Sequence, residues 1–199
     1  MLKTTKHLLA MSIIAISTNA MSKDISYDYV QGTYSSITDD SLGVDIDGDG
    51  FAVSGSFSVS PNIAVTALLG STSYDRIAGI DIDSNEFDFG ITAHTSIAPN
   101  TSVFGNFSIV NAEVEASDSF TTISDDDTGN AISVGIRHMA SENIEIGVGL
   151  SRADIFDDTA NTFGFGARFY ANEKFSIGVG YRTGDDVAAL LLNARIDIK

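Results

Sequence analysis

The sequence predicts an all-β chain: a transmembrane, antiparallel, up-and-down β-barrel of about ten strands, with eight as the alternative count. Three observations lead there. Apolar residues alternate with small or polar ones at period two through most of the chain, the pattern of strands with two unlike faces. The segments follow one another as a meander whose connections alternate between short and long. Beyond the N-terminal region, no apolar run approaches the roughly 20 residues that a spanning helix needs.

In chain order, the first segment reads as an export signal. Lys3 and Lys6 precede an apolar stretch from Leu8 to Ile16, and Thr18-Asn19-Ala20 supplies small residues before the chain turns polar. Residues 1–20 are therefore expected to be a signal peptide, cut after Ala20 or Ser22, and residues 21–199 a single barrel domain. The mature part keeps 9 Lys and Arg against 27 Asp and Glu, a formal charge of −18. That charge repels phosphate backbones, so nucleic acid is not an expected partner. With no cysteine there is no disulfide, thiolate metal site or lipidated cysteine.

Strands are expected near 25–35, 50–59, 63–74, 85–95, 102–114, 130–139, 144–154, 162–170, 175–183 and 187–198. The alternation is clearest in Phe163, Phe165, Ala167 and Phe169, and in Phe175, Ile177, Val179 and Tyr181. In the fifth strand the parity slips between Phe107 and Val110, which reads as a bulge. The short connections are Ser60-Pro61-Asn62, Ala98-Pro99-Asn100, Ser141-Glu142-Asn143 and Ala171-Asn172-Glu173, rich in turn formers. The long ones, 36–49, 75–84, 115–129 and 155–161, carry acidic clusters and are expected to be polar loops. Short turns at one end and long polar loops at the other is the arrangement of outer-membrane barrels.

The segment Tyr27-Asp28-Tyr29-Val30-Gln31-Gly32-Thr33-Tyr34 carries a family resemblance. An acidic stretch follows, then Asp47-Gly48-Asp49-Gly50-Phe51 and the Ser60-Pro61-Asn62 turn. In these features the chain resembles the small gammaproteobacterial outer-membrane β-barrel, or porin-like, proteins. The resemblance implies a location in the Gram-negative outer membrane, among lipid and lipopolysaccharide, after insertion by the barrel-assembly machinery. One departure stands out: the chain ends Ile196-Asp197-Ile198-Lys199, without the terminal aromatic usual in such barrels.

In a lipid-embedded barrel the apolar faces point outward and the polar faces line the lumen. Those polar faces are mostly Gly, Ser and Ala, interrupted by charge: Glu86, Asp88, Arg137, Glu145, Arg168, Arg182 and Arg195. Isolated charges in a narrow interior are costly, so these seven are expected to form a lumenal ion-pair network, with strand ends in water as the alternative for some of them. Asp45, Asp47 and Asp49, with Gly50, match the start of a calcium loop, but Ser56 stands where the closing Glu belongs. The expected role there is an acidic loop, with weak Ca²⁺ binding as the alternative; no other cofactor is expected.

His94 and His138, the histidines of the mature part, lie beside short turns, whereas the Asp pairs lie in the opposite loops, a membrane thickness of roughly 25 Å away. His-Asp or Ser-His catalysis is therefore not expected, and the protein reads as a non-enzyme. The expected function is a structural scaffold or a narrow porin-like channel for small solutes or cations. The alternative is a surface adhesion or recognition barrel acting through its acidic extracellular side.

Overall fold

A computed structural model describes residues 27–40, 45–185 and 187–198. The expected signal peptide, 1–20, and its cleavage site lie outside the described residues. Ten strands follow in sequence: β1 (Tyr29–Asp39), β2 (Ile46–Ser60), β3 (Ile63–Ile77), β4 (Ile80–Ala98), β5 (Thr101–Ser117), β6 (Thr122–Ser141), β7 (Ile144–Ile155), β8 (Asp158–Tyr170), β9 (Phe175–Gly184) and β10 (Val187–Asp197). Each pairs antiparallel with its chain neighbours, and β1 pairs β10 to close the barrel. The ten-stranded, all-β, up-and-down barrel predicted from the sequence is the fold of the protein.

Period two decides which residue faces where. Phe51, Leu69, Phe89, Leu150, Phe165 and Ile196 point outward and are 53–62% exposed. A wall of large exposed apolar side chains of this extent belongs in hydrocarbon rather than water. The Gly, Ser and Thr positions between them face the lumen.

The short-turn end is built by one repeated device. Hairpins β2–β3, β4–β5 and β6–β7 each slip register just before a two-residue turn: at Ser58/Ser60, Ser96/Ala98 and Met139/Ser141. The turn carbonyls of Asn62, Asn100, Asn143 and Lys174 then accept the N–H of His94, Met139, Tyr170 and Asp197 from a neighbouring strand at 2.8–2.9 Å. The four turns are thus stapled into a rim, and no turn carbonyl among these four is left to water alone.

At the opposite end the structure corrects the sequence reading. Much of the segments expected as long loops is strand, and the β3–β4, β5–β6 and β7–β8 connections close in tight turns. Ala78-Gly79 joins β3 to β4, Asp118–Thr121 joins β5 to β6, and Phe156-Asp157 joins β7 to β8. Ala78, Phe156, Asp157 and Asp185 adopt positive φ of 46–58° to make such turns. The extensions were polar in sequence because their outward faces leave the membrane for water. Their inward faces stay apolar at Ile37, Ile46, Ile82 and Val114, so the sheet continues. The expected bulge in β5 is absent as well: its register against β4 and β6 is unbroken through Phe107–Val110.

Candidate functional site

The lumen has two zones. The half near the short turns is polar and charged. Arg137 and Glu145 are fully buried there, with Arg137 Nε 3.2 Å from Glu145 Oε1. Tyr170 Oη donates to the other carboxylate oxygen at 2.7 Å. Arg168 donates to Ser176 Oγ at 3.0 Å, Gln31 Oε1 at 2.6 Å and Asn193 Oδ1 at 2.8 Å. Arg195 pairs with Asp197 at 2.7 Å and lies 3.7 Å above the Tyr29 ring. Tyr27, just ahead of β1, folds back across this mouth: it stacks on His94 at 3.4 Å and lies under the Arg137 guanidinium. The Ser58 N–H donates to Asp28 Oδ1 at 2.8 Å and pins the same segment to β2.

The other half of the lumen holds an apolar cluster, with the polar groups of Ser35, Asp39, Thr72 and Arg182 buried beside it. Ile37, Tyr74, Val110, Ile155, Phe156, Val187 and Leu191 are buried in one cluster with four alanines and three further aliphatic side chains. Val110 is 0% exposed and Ile37 2%. Phe156 sits in a turn at φ 56° yet keeps its ring buried in the top of this cluster. Packed side chains, the apolar ones together with buried Arg182, fill much of that half.

Of the seven charges predicted to face the lumen, Asp88, Arg137, Glu145, Arg168, Arg182 and Arg195 are buried and Glu86 is partly buried. Of these seven, Arg137 and Glu145 form an ion pair. Glu86 and Asp88 share the inward face of β4, and Arg182 lies within electrostatic reach of Glu86. Arg168 is held by neutral oxygens, and the acid on Arg195 is Asp197, which the sequence reading did not select. The parity of Asp197 in the last strand was the available signal. Gln31, Asn193, Tyr27 and Tyr170 gave none, because their partners lie 25 to 137 residues away.

Asp47 and Asp49 lie on one outward face of β2, with Asp45 just before it. Alternate residues on a strand stand about 7 Å apart along one face rather than around a loop. Asp47 accepts from Thr38 Oγ1 at 2.8 Å, and Asp49 from Tyr34 Oη at 2.5 Å. The spacing that suggested a calcium loop is the spacing of one strand face. Among the described residues no cluster of three or more His, Cys, Asp or Glu could hold a metal ion.

His94 faces the short-turn mouth, and His138 points outward with Nδ1 3.0 Å from Thr101 Oγ1. Neither is placed against a Ser nucleophile and an acid.

Residues 8–182 match the outer membrane protein beta-barrel domain family. The chain belongs to that family. The protein is an integral outer-membrane β-barrel, a class that sets its short turns on the periplasmic side and its longer hairpins outside the cell. No curated protein matches it. Among solved structures it is similar to the β domain of the Bordetella autotransporter Brka, at 11% identity and TM-score 0.52 over 86% of this chain and 99% of that one. It is also similar to the translocator domain of the autotransporter NalP from Neisseria meningitidis (9%, TM-score 0.51, 98% and 91%). Neisserial surface protein A matches at 9% and TM-score 0.50, over 87% and 98%. At these identities the likeness is one of fold.

Outside the membrane the barrel is acidic. On the outward face Asp83 stands opposite Glu115, and Glu113 opposite Asp126. Like charges directly across a sheet are destabilising. Basic residues are scarce here: Arg76 pairs with Asp81 in the β3–β4 hairpin, and Arg152 with Asp154. The hydrogen bond from Arg76 holds the Asp81 carboxyl below its ordinary range. At the tip of β5–β6, Phe120 is 95% exposed.

Proposed function

We propose that the protein is a closed, non-conducting anchor that displays an acidic β-sheet at the cell surface. The observation that carries this reading is the apolar cluster packed across the extracellular half of the lumen. A barrel of about ten strands has room for its own side chains and little more. An ion entering that half would be stripped of water against Ile37, Val110 and Leu191, and a cation would also meet the buried Arg182 guanidinium. The porin-like channel reading is the weaker one for that reason. The non-enzyme reading stands on the histidines, which are separated from any acid-nucleophile constellation. Outer-membrane lipid and lipopolysaccharide are the proposed surroundings of the apolar wall, reached with the help of the barrel-assembly machinery.

The display reading draws on the opposed acidic pairs and on exposed Phe120, which do nothing for stability and are placed outward. Planar-bilayer recording of the purified protein tests the proposal. No discrete conductance steps are expected. Reproducible single-channel steps would overturn it and restore the channel reading.

A further inference from the structure

The extracellular hairpins do not end level. Pairing between β6 and β7 stops at Asn130–Asp154, and β7 ends at Ile155. β6 runs on outward to Thr122, and among the described residues it pairs there with β5 alone. Residues Thr122–Asp126 are exposed throughout. Just below them, Asp127 closes the lower end of this edge: its carboxylate accepts Thr128 N–H at 2.8 Å and Phe156 N–H at 2.6 Å. The Thr128 amide is therefore met by a side chain on the side away from β5. The two-residue repeat puts the backbone N–H and C=O of Thr122, Ser124 and Asp126 on that same side.

An exposed, unpaired strand edge is a template for another strand. This one stands in water, above the membrane, and spans about 17 Å over five residues. We propose that the β6 edge binds an extended, Lys- or Arg-bearing polypeptide from outside the cell by β-strand addition. The proposal rests on the reading of the barrel as a surface anchor and names what its displayed sheet takes.

Charge selects the occupant. Asp125, Asp126 and Asp127 lie on the edge strand, and Glu113 and Glu115 on the strand beside it, with Glu113 directly opposite Asp126. A second copy of this edge would set acid against acid, and so would an acidic strand. A strand with alternate basic residues places cations beside those carboxylates while its backbone fills the ladder. Phe120, 95% exposed above the edge, offers an apolar contact to the same segment.

The test uses the full barrel in lipid nanodiscs and two peptides. One is acetyl-Lys-Val-Lys-Val-Lys-Val-amide; the other is the same peptide N-methylated at every residue, which keeps the charge and cannot pair as a strand. The unmethylated peptide is expected to bind and to slow hydrogen exchange at Ser124 and Asp126, and methylation to weaken binding roughly tenfold or more. Ser124→Pro removes an edge N–H without touching the β5 ladder and is expected to weaken the unmethylated peptide by a similar factor, with heat-modifiable gel migration unchanged. Equal binding of the two peptides would overturn the edge while leaving the acidic display standing. No binding of either at low salt would overturn both. Dimerisation through the edge, seen by sedimentation and abolished by Ser124→Pro, would overturn the basic-strand occupant. Conductance is a separate measurement, so failure of the closed-barrel reading is told apart from failure of this one.

Discussion

Replacing Glu145 by Gln tests whether the periplasmic half of the lumen is dry. Glu145 is fully buried, holds Arg137 at 3.2 Å through one oxygen and accepts from Tyr170 at 2.7 Å through the other. Gln keeps the shape and one acceptor but removes the charge. Across 3.2 Å, two unit charges interact by about 5 kcal/mol at an effective dielectric near 20, and by about 1.3 kcal/mol in bulk water. Removing one partner of a buried pair typically costs about 3–5 kcal/mol, because the other charge stays desolvated. Glu145→Gln is therefore expected to lose about 3–5 kcal/mol in urea unfolding from lipid vesicles, followed by circular dichroism and heat-modifiable mobility. Removing both charges, with Arg137→Met and Glu145→Leu, is expected to cost less than Glu145→Gln alone, since no charge is left stranded. A loss under about 1 kcal/mol for Glu145→Gln would refute the reasoning: it would mean that water already reaches Arg137 and that this half of the lumen is a wet vestibule.

Other consequences follow from the same geometry. Leu191 faces the lumenal core and Leu192 faces lipid; Leu191→Ala is expected to cost about 2–4 kcal/mol by leaving a cavity, and Leu192→Ala distinctly less, in the same unfolding assay. Phe156 holds a left-handed conformation for the sake of its buried ring. Phe156→Ala keeps the strain and loses the ring, so about 2–3 kcal/mol should be lost, whereas Phe156→Asn relieves part of the strain and should be less damaging by about 1 kcal/mol. Asp81 has its carboxyl pKa lowered by Arg76, so its contribution to the β3–β4 hairpin is present above the ordinary carboxylate value and is lost as pH falls through the lowered one. Proton titration of Asp81 by NMR should show a midpoint below that of an Asp in a flexible peptide, returning to the ordinary value in Arg76→Gln.

Much of the barrel was legible because period two survives any tertiary context: a residue two places from an outward Phe is outward as well. That sufficed to place Glu86, Asp88, Arg137, Glu145, Arg168, Arg182 and Arg195 on inward positions. It failed where both faces are apolar. Phe107 and Ile109 meet lipid while Val110, Ala112 and Val114 meet the lumenal core, so alternation vanished and was read as a bulge. Leu190-Leu191-Leu192 hides an inward residue in the same way. It failed again where strands leave the membrane, because Asp, Ser and Thr on an outward face in water look like loop composition. Asp47 and Asp49, expected in a loop, lie in β2 for that reason.

By itself, then, the sequence determined that ten alternating strands form a meander with one lipid-facing side and one enclosed side, because side-chain direction along a strand is a local, steric property. What fills the enclosed side was decided only by closure of β1 on β10, which brings Arg168 to Gln31 across 137 residues and gathers Ile37, Val110 and Leu191 into one core. The free edge of β6 was likewise invisible in the chain, since it exists only because β7 turns back sooner than β5 does. Such pairings depend on register across the whole barrel, and register is a property of all ten strands together.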